Sequence, residues 1–491
     1  LFSYAEANAA FRRADDLLPR LEGRLREEDL FALYEPWGIA AMEINDLPTM
    51  RRVYASMRNL GEMHRSPLLL GEALSGLGYI TLLMRDPTGA LDLLQRSLNT
   101  LQRAGNVLAL IRAHTHLGNI YLMNNQFSDA GQSFQNAVDL GGDLTEPKVV
   151  EAVLLAKDWL ALNDTMRGWP EKSAATMEQT MRAPQRQFPS FVSVRSLFTY
   201  CTALAFSGRF RECVEHARRG VEITGRLGNM RLNGMLQYIS GMSAMYLLDM
   251  DAAWEHSRLA ISQAEEVGYE ELSQGGWMVL ANLYSIGDLE QAIAVYEKTT
   301  TPKIDSMISA YVMNHKARVT ALSGDTQHGR ALVDRLLDFT SQAGFYLVHY
   351  HGEVTRATIL RIEGDLRQAE EILNVAVAEA RTRGIQTAVL EGELELAEVY
   401  LAQERWELAA QVARRLANSA GAVEACQLEV EALALMARAL RAAGLPPDTA
   451  SRARAIALMD QASQRARLLE VAPYFQRWRE RMQAQLGNSS D

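Results

Sequence analysis

Residues Leu117–Ala137 read LGNIYLMNNQFSDAGQSFQNA. Leu117, Gly118 and Tyr121 stand on one side of a polar Asn124-Asn125-Gln126 corner, and Ala130, Phe134 and Ala137 on the other. Small residues sit where two helices must approach closely, and large apolar ones fill the space beside them. The stretch reads as the heart of a helix-turn-helix pair.

The same arrangement recurs along nearly the whole chain. Gly118 has counterparts at Gly38, Gly78, Cys201, Gly241, Ala281, Ala317, Ala357, Ala397 and Ala437. The steps are 40 residues almost throughout, with one of 36 and a double step of 83 between Gly118 and Cys201. A second small-residue series follows 11 or 12 residues later, at Ala90, Ala130, Cys213, Ala253, Ala292, Gly329, Ala369 and Ala409, with Met50 the bulky exception. The double step implies one degenerate unit near Leu160–Met181, with Ala174 in the second series. Corners recur as Ser207-Gly208, Ile286-Gly287-Asp288, Ser323-Gly324-Asp325 and Gly364-Asp365, where glycine permits a left-handed helix end and Asp caps the next helix. No sustained strict alternation and no β-hairpin signal appears, so the class expected is all-α.

The pattern resembles the tetratricopeptide repeat (TPR), over about 430 of the 491 residues and most tightly at Leu77–Ala90 and Leu117–Ala137. The unit is longer than the 34 residues of the common TPR. Longer units of this kind are similar to the sensor domains of bacterial MalT-like (LuxR-type) regulators and STAND signalling ATPases, and to adenylate-cyclase-linked arrays. The resemblance implies a right-handed α-solenoid, or superhelix, of about ten to eleven repeats. Residues 1–29 are expected as a truncated half-repeat, 30–428 as the array, and 429–491 as an irregular last repeat with a C-terminal capping helix.

The opening LFSYAEANAAFRRADDLL resembles the second helix of a repeat, with Phe2 and Ala5 matching Phe127 and Ala130. The expectation is a piece of a larger protein whose effector domain lies ahead of it. Gly444-Leu445-Pro446-Pro447 should lengthen the last corner, because proline cannot continue a helix, and Pro473 should interrupt the helix that follows. Tyr474, Phe475 and Trp478 either fold back as a cap or mark a surface for another domain. The join from Gly141-Gly142 to Pro147 before the degenerate unit, with Ala183–Pro189 after it, and Thr299–Lys303 are irregular enough to act as hinges or to be simple repeat defects.

Composition narrows the function. A net charge of −10 without a basic stripe is a poor match for nucleic acid, since phosphate neutralisation needs clustered Lys and Arg. The cluster Arg452, Arg454, Arg465 and Arg467 reads as a solvated helix face. Three cysteines, no run of 18 apolar residues and no signal peptide suit a reducing, cytoplasmic setting without a membrane anchor. There is no G-x-x-x-x-G-K-[ST], H-E-x-x-H or C-x-x-C. His114 and His116, and likewise His349 and His351, stand two apart and so face away from each other on a helix, which reads as surface or groove histidines rather than metal ligands. No enzyme activity and no cofactor are expected. Cys201 and Cys213 occupy the two small-residue series of one unit, which places them near each other as a redox pair or as two small hydrophobes.

By the TPR resemblance, the concave groove is lined six and three residues before the Gly118-type position and one and four after it. That selects Arg195, Phe198 and Thr202; Met235, Tyr238, Met242 and Met245; Met278, Asn282 and Ser285; Tyr311, Asn314 and Arg318; then His351, Thr358 and Arg361. Methionine, tyrosine, amide and arginine suit a peptide, a protein segment or a small-molecule inducer with an anionic end. The same residues could instead pack between repeats. Asn119 and Asn282 stand at the asparagine position of the chaperone-binding carboxylate clamp, but Thr115 and Met278 replace its lysine, which argues against that clamp. The expected function is a non-catalytic, ligand- or protein-sensing TPR domain of a larger bacterial signalling or transcription regulator. The alternative is a free-standing protein–protein scaffold.

Overall fold

The computed structural model describes residues 4–21, 25–43, 46–84, 86–183, 191–299, 304 and 306–487. Phe2, residues 184–189 and 300–303 of the suggested hinges, and the last four residues lie outside them. The described residues form helices and connecting turns, with no strand.

In chain order the helices begin with α1 (Tyr4–Leu17), α2 (Glu27–Glu43), α3 (Leu47–Met63), α4 (Pro67–Leu83), α5 (Pro87–Ala104), α6 (Val107–Met123), α7 (Phe127–Gly141) and α8 (Pro147–Met166). They continue with α9 (Pro170–Met181), α10 (Phe191–Phe206), α11 (Phe210–Leu227), α12 (Met230–Tyr246), α13 (Met250–Glu266), α14 (Glu270–Ser285), α15 (Leu289–Tyr296) and α16 (Met307–Leu322). The last are α17 (Thr326–Ala343), α18 (Tyr346–Glu363), α19 (Leu366–Arg383), α20 (Gln386–Ala402), α21 (Trp406–Ala422), α22 (Cys426–Ala442), α23 (Thr449–Ser463) and α24 (Ala472–Leu486). From α2 to α23 they follow one another as eleven helix-turn-helix pairs, and all ten members of the Gly118 series fall in the first helix of a pair. The step of 36 residues coincides with α15, only eight residues long.

The physical reason for the small series is visible at Gly118. A Cβ built there would lie 2.4 Å from the Phe134 ring of the paired helix. Ala130, on the same paired helix one turn before Phe134, is wholly buried. Ala130→Leu is therefore expected to destabilise the protein by about 1–3 kcal/mol through overpacking, read as a lower midpoint in urea. An unchanged midpoint would refute the helix contact.

The corners behave as their chemistry requires. Asn125 takes a left-handed φ of 58°, a conformation asparagine tolerates, and ends α6. Asp288, Asp325 and Asp365 each cap the following helix by accepting from a backbone N–H, at 3.0, 3.0 and 3.2 Å. Gly287 departs from the expectation. It has no left-handed backbone, and is needed because the Tyr474 main chain passes 2.4 Å from where a Cβ would be.

The helices gather into two compact units. One comprises residues 1–163 and 179–193, the other 164–178 and 194–491. In the first, α4 packs on α5 and α6, so that first helices of successive pairs meet. In the second the same order runs without interruption through α12, α14, α16, α18, α20 and α22. These are TPR-like solenoids, in which each helix pair buries its apolar face against the next.

The second unit also closes on itself. One buried apolar cluster joins Phe210, Leu248, Met250 and Leu283 near its start to Leu435, Phe475 and Trp478 near its end. The Asp251 carboxylate, in α13, accepts from the backbone N–H groups of Arg467 and Leu468 at 2.9 and 3.2 Å. Arg477 pairs with Asp288 at 3.2 Å, and Tyr474 packs on Tyr284 with ring centroids 4.6 Å apart. The chain breaks between α23 and α24, with Pro473 in the first turn of α24, which folds back on α22 and buries Phe475 and Trp478. Cys201 and Cys213 are both free and buried, and the Cys201 thiol donates to the Cys213 carbonyl at 3.6 Å. Burial pushes the Cys201 thiol up, which keeps it protonated and apolar in character.

Candidate functional site

The first helices of the second unit turn one face towards its interior, and closure brings faces from distant repeats together. Glu391 on α20 sits at their meeting point. Tyr246 of α12 donates its hydroxyl to Glu391 at 2.7 Å, across 145 residues of chain. His351 Nδ1 lies 3.0 Å from the same carboxylate, and its Nε2 lies 3.1 Å from the Thr387 hydroxyl. With Nδ1 donating, Nε2 is left to accept, which fixes the ring's orientation. Arg318 of α16 stands 3.7 Å away, close enough for charge but too far for a hydrogen bond.

Burial opposes ionisation of Glu391, yet the His351 ring and the Arg318 guanidinium beside it hold its carboxyl far below the usual range. Burial together with Glu391 pushes the Tyr246 hydroxyl well up, so it stays a donor. Burial pushes the neighbouring His315 down to about 4, leaving a neutral ring.

Beside this cross-bridge lies a cavity of about 230 Å³. Met242, Met245 and Met278 supply one wall, with Val279, Ile286, Val319, Leu322 and Leu394 around them. Asn282, Arg318, Glu391, Glu431 and Arg481 bring polar groups to the other side. Glu431 accepts from Trp478 Nε1 at 3.2 Å and from Gln427 at 3.3 Å, and burial raises its carboxyl. Among the described residues no group of three or more His, Cys, Asp or Glu could hold a metal ion, and no helix is long and apolar enough to cross a membrane.

Of the groove residues expected from sequence, Met242, Met278, Asn282 and Arg318, with Met245 and Ser285, line this cavity. Phe198, Tyr238, Tyr311 and Asn314 do not. They are buried between helices, Tyr238 and Tyr311 each only 2% exposed. Tyr311 packs on Phe206 and His351, both at 5.3 Å, and Asn314 accepts from Thr355 at 2.9 Å. Arg195 and Met235 are half-buried and also stand apart from the cavity. His351 is not a surface or open-groove residue but a buried partner of Glu391, and His116 stacks on Tyr79 at 5.3 Å and bonds Ser75 at 2.8 Å.

The residues missed are Tyr246, His315, Glu391, Glu431 and Arg481. Two of these carried a signal. Glu391 and Glu431 stand six residues before Ala397 and Ala437, the groove position already used for Arg195 and Met235. The first unit shows what the same positions do elsewhere. Arg112, six before Gly118, pairs with Glu35 at 2.7 Å and Glu72 at 3.6 Å, and Lys148 joins Glu35 at 2.9 Å. There the charges satisfy one another.

No family model and no curated protein sequence matches the chain. Solved structures with a related helical course include a Rap protein complexed with Competence and Sporulation Factor, at 12% identity and TM-score 0.44, over 81% of this chain and 99% of that one. NprR in complex with its cognate peptide NprX is 9% identical with TM-score 0.41, over 76% and 97%. A STAND protein with a tetratricopeptide repeat sensor from Pyrococcus horikoshii is 14% identical with TM-score 0.39, over 75% and 55%.

Proposed function

We propose that this chain is a non-catalytic binding domain whose ligand, a peptide or protein segment or a small molecule with an apolar part, seats in the interior cavity of the 194–491 unit. One observation carries the reading: three methionine side chains and open polar donors face the same cavity. Thioethers adapt to varied apolar shapes, and a few polar groups then fix orientation. The domain serves as the sensing module of a larger bacterial regulator of the MalT-like or STAND kind. Ligand binding there acts by biasing the closure of the unit.

The test is capture from lysate on the purified chain, with proteins and small molecules identified together, against a Met278→Arg variant that fills the cavity. Ligand lost with the variant is the expected result, at about tenfold or more. A partner retained equally by both proteins would point instead to a scaffold using its outer surface.

A further inference from the structure

The two carboxylates on the cavity wall have their hydrogen bonds filled by neighbours, whereas its two guanidinium groups do not. Glu391 holds Tyr246 and His351, and Glu431 holds Trp478 and Gln427. Arg318 pairs with Glu391 at 3.7 Å and lies near Glu431, but makes no hydrogen bond with any described residue. Arg481, on α24, is exposed and forms neither a hydrogen bond nor an ion pair with any described residue, although it lies near enough to Glu431 to favour that carboxylate. The Asn282 carbonyl oxygen is taken by the Tyr296 hydroxyl at 2.6 Å, which leaves its NH₂ group as a further donor. The unused capacity of the wall is therefore donors, two of them cationic. A carboxylate is the complementary partner, and guanidinium is suited to hold it in a bidentate pair.

Size limits what carries that carboxylate. At about 230 Å³ the cavity is smaller than the ~300–1,000 Å³ of sites that enclose a whole drug-sized ligand. It has room for the end of a chain. Met242, Met245 and Met278 receive an aliphatic side chain next to the charge.

Resting on the function proposed above, we propose that the cavity takes the C-terminal residue of a peptide, its aliphatic side chain against Met242, Met245 and Met278 and its free carboxylate between Arg318 and Arg481. Because Arg318 belongs to α16 and Arg481 to the closing helix α24, the carboxylate ties α24 to the interior of the unit. Occupancy is thereby converted into closure.

The test uses the full chain and a pooled library of octapeptides with free C-terminal carboxylates, the same library with C-terminal amides, and octanoate as a free acid. Native mass spectrometry reads binding, and hydrogen exchange reads α24. Arg481→Ala should fold as the parent does, because Arg481 is exposed and forms no hydrogen bond or ion pair with a described residue, and its melting curve checks this. The expected result is retention of free-carboxylate peptides ending in an aliphatic residue, slower exchange in α24, and about tenfold or more weaker binding to Arg481→Ala. Octanoate displacing these peptides from the parent would support the carboxylate chemistry. Octanoate binding without any peptide would overturn the peptide assignment. If amidated and free peptides bind equally and Met278→Arg abolishes both, the carboxylate inference fails while the cavity remains the binding site. Retention of neither library nor octanoate overturns the inference, and the lysate capture then decides the broader function separately.

Discussion

Replacing Glu391 by alanine should lower the stability of the 194–491 unit by about 3–5 kcal/mol, the cost of leaving a buried charge without its partner. The expectation follows from where the carboxylate sits. Glu391 is 8% exposed and is shared by Tyr246, His351 and Arg318, which come from α12, α18 and α16. Alanine removes the acceptor from the half-buried Tyr246 and the buried His351 ring, and leaves Arg318 beside them without a counter-charge. Glu391→Gln keeps an acceptor for Tyr246 and removes only the charge, so it should cost less. The measurement is the urea midpoint of each variant. A cycle with Tyr246→Phe should show coupling of about 0.5–3 kcal/mol, since the two side chains touch. If Glu391→Ala melts like the parent, the cross-bridge does not hold the unit closed.

That bridge also marks the limit of what the sequence discloses. The hairpins were legible because each one is local. Gly118 and Phe134 are 16 residues apart, and their contact repeats with little change from pair to pair. Closure depends on small rotations between successive pairs, which accumulate over many repeats and leave no mark at any single position. The repeat register marks Glu391 as a groove position, but nothing local tells which distant side chains it meets there. Its partner Tyr246 lies 145 residues away. The same argument accounts for Tyr238 and Tyr311, which an open groove would have presented and which a closed unit buries instead. Met242, Met278, Asn282 and Arg318 stood at positions where the TPR register and the closed geometry agree. Arg481 could not be reached by that register at all, because α24 stands outside the repeat and enters the site only by folding back on α22.

Acid should weaken both units through their buried histidines. Burial pushes His116 in the first unit and His315 in the second down to about 4, from the ordinary 6.5 of a free imidazole. His114, His216, His256 and His349 are displaced in the same direction, each by burial. The unfolded chain therefore takes up protons at these rings from about pH 6.5 downward, while the folded chain resists until near pH 4. Stability is complete above 6.5 and declines through that window. By pH 5, His116 and His315 should each have removed about 2 kcal/mol. Glu391 acts later. Its folded carboxyl lies below the ordinary value of 4.5, so its contribution is present above that value and declines only beneath it. Urea titrations at pH 7.5 and pH 5.0 read the histidines apart from Glu391, whose carboxyl is held below that window, while the carboxyls of Glu72, Glu353 and Glu431, raised by burial, act in the opposite sense and oppose the loss. His116→Phe keeps a ring against Tyr79 and removes the titration, at the expense of the Ser75 hydrogen bond. Its first unit should be less stable than the parent's at pH 7.5 yet lose less on acidification. Equal midpoints at the two pH values in the parent would show that these rings are already open to solvent protons in the folded protein.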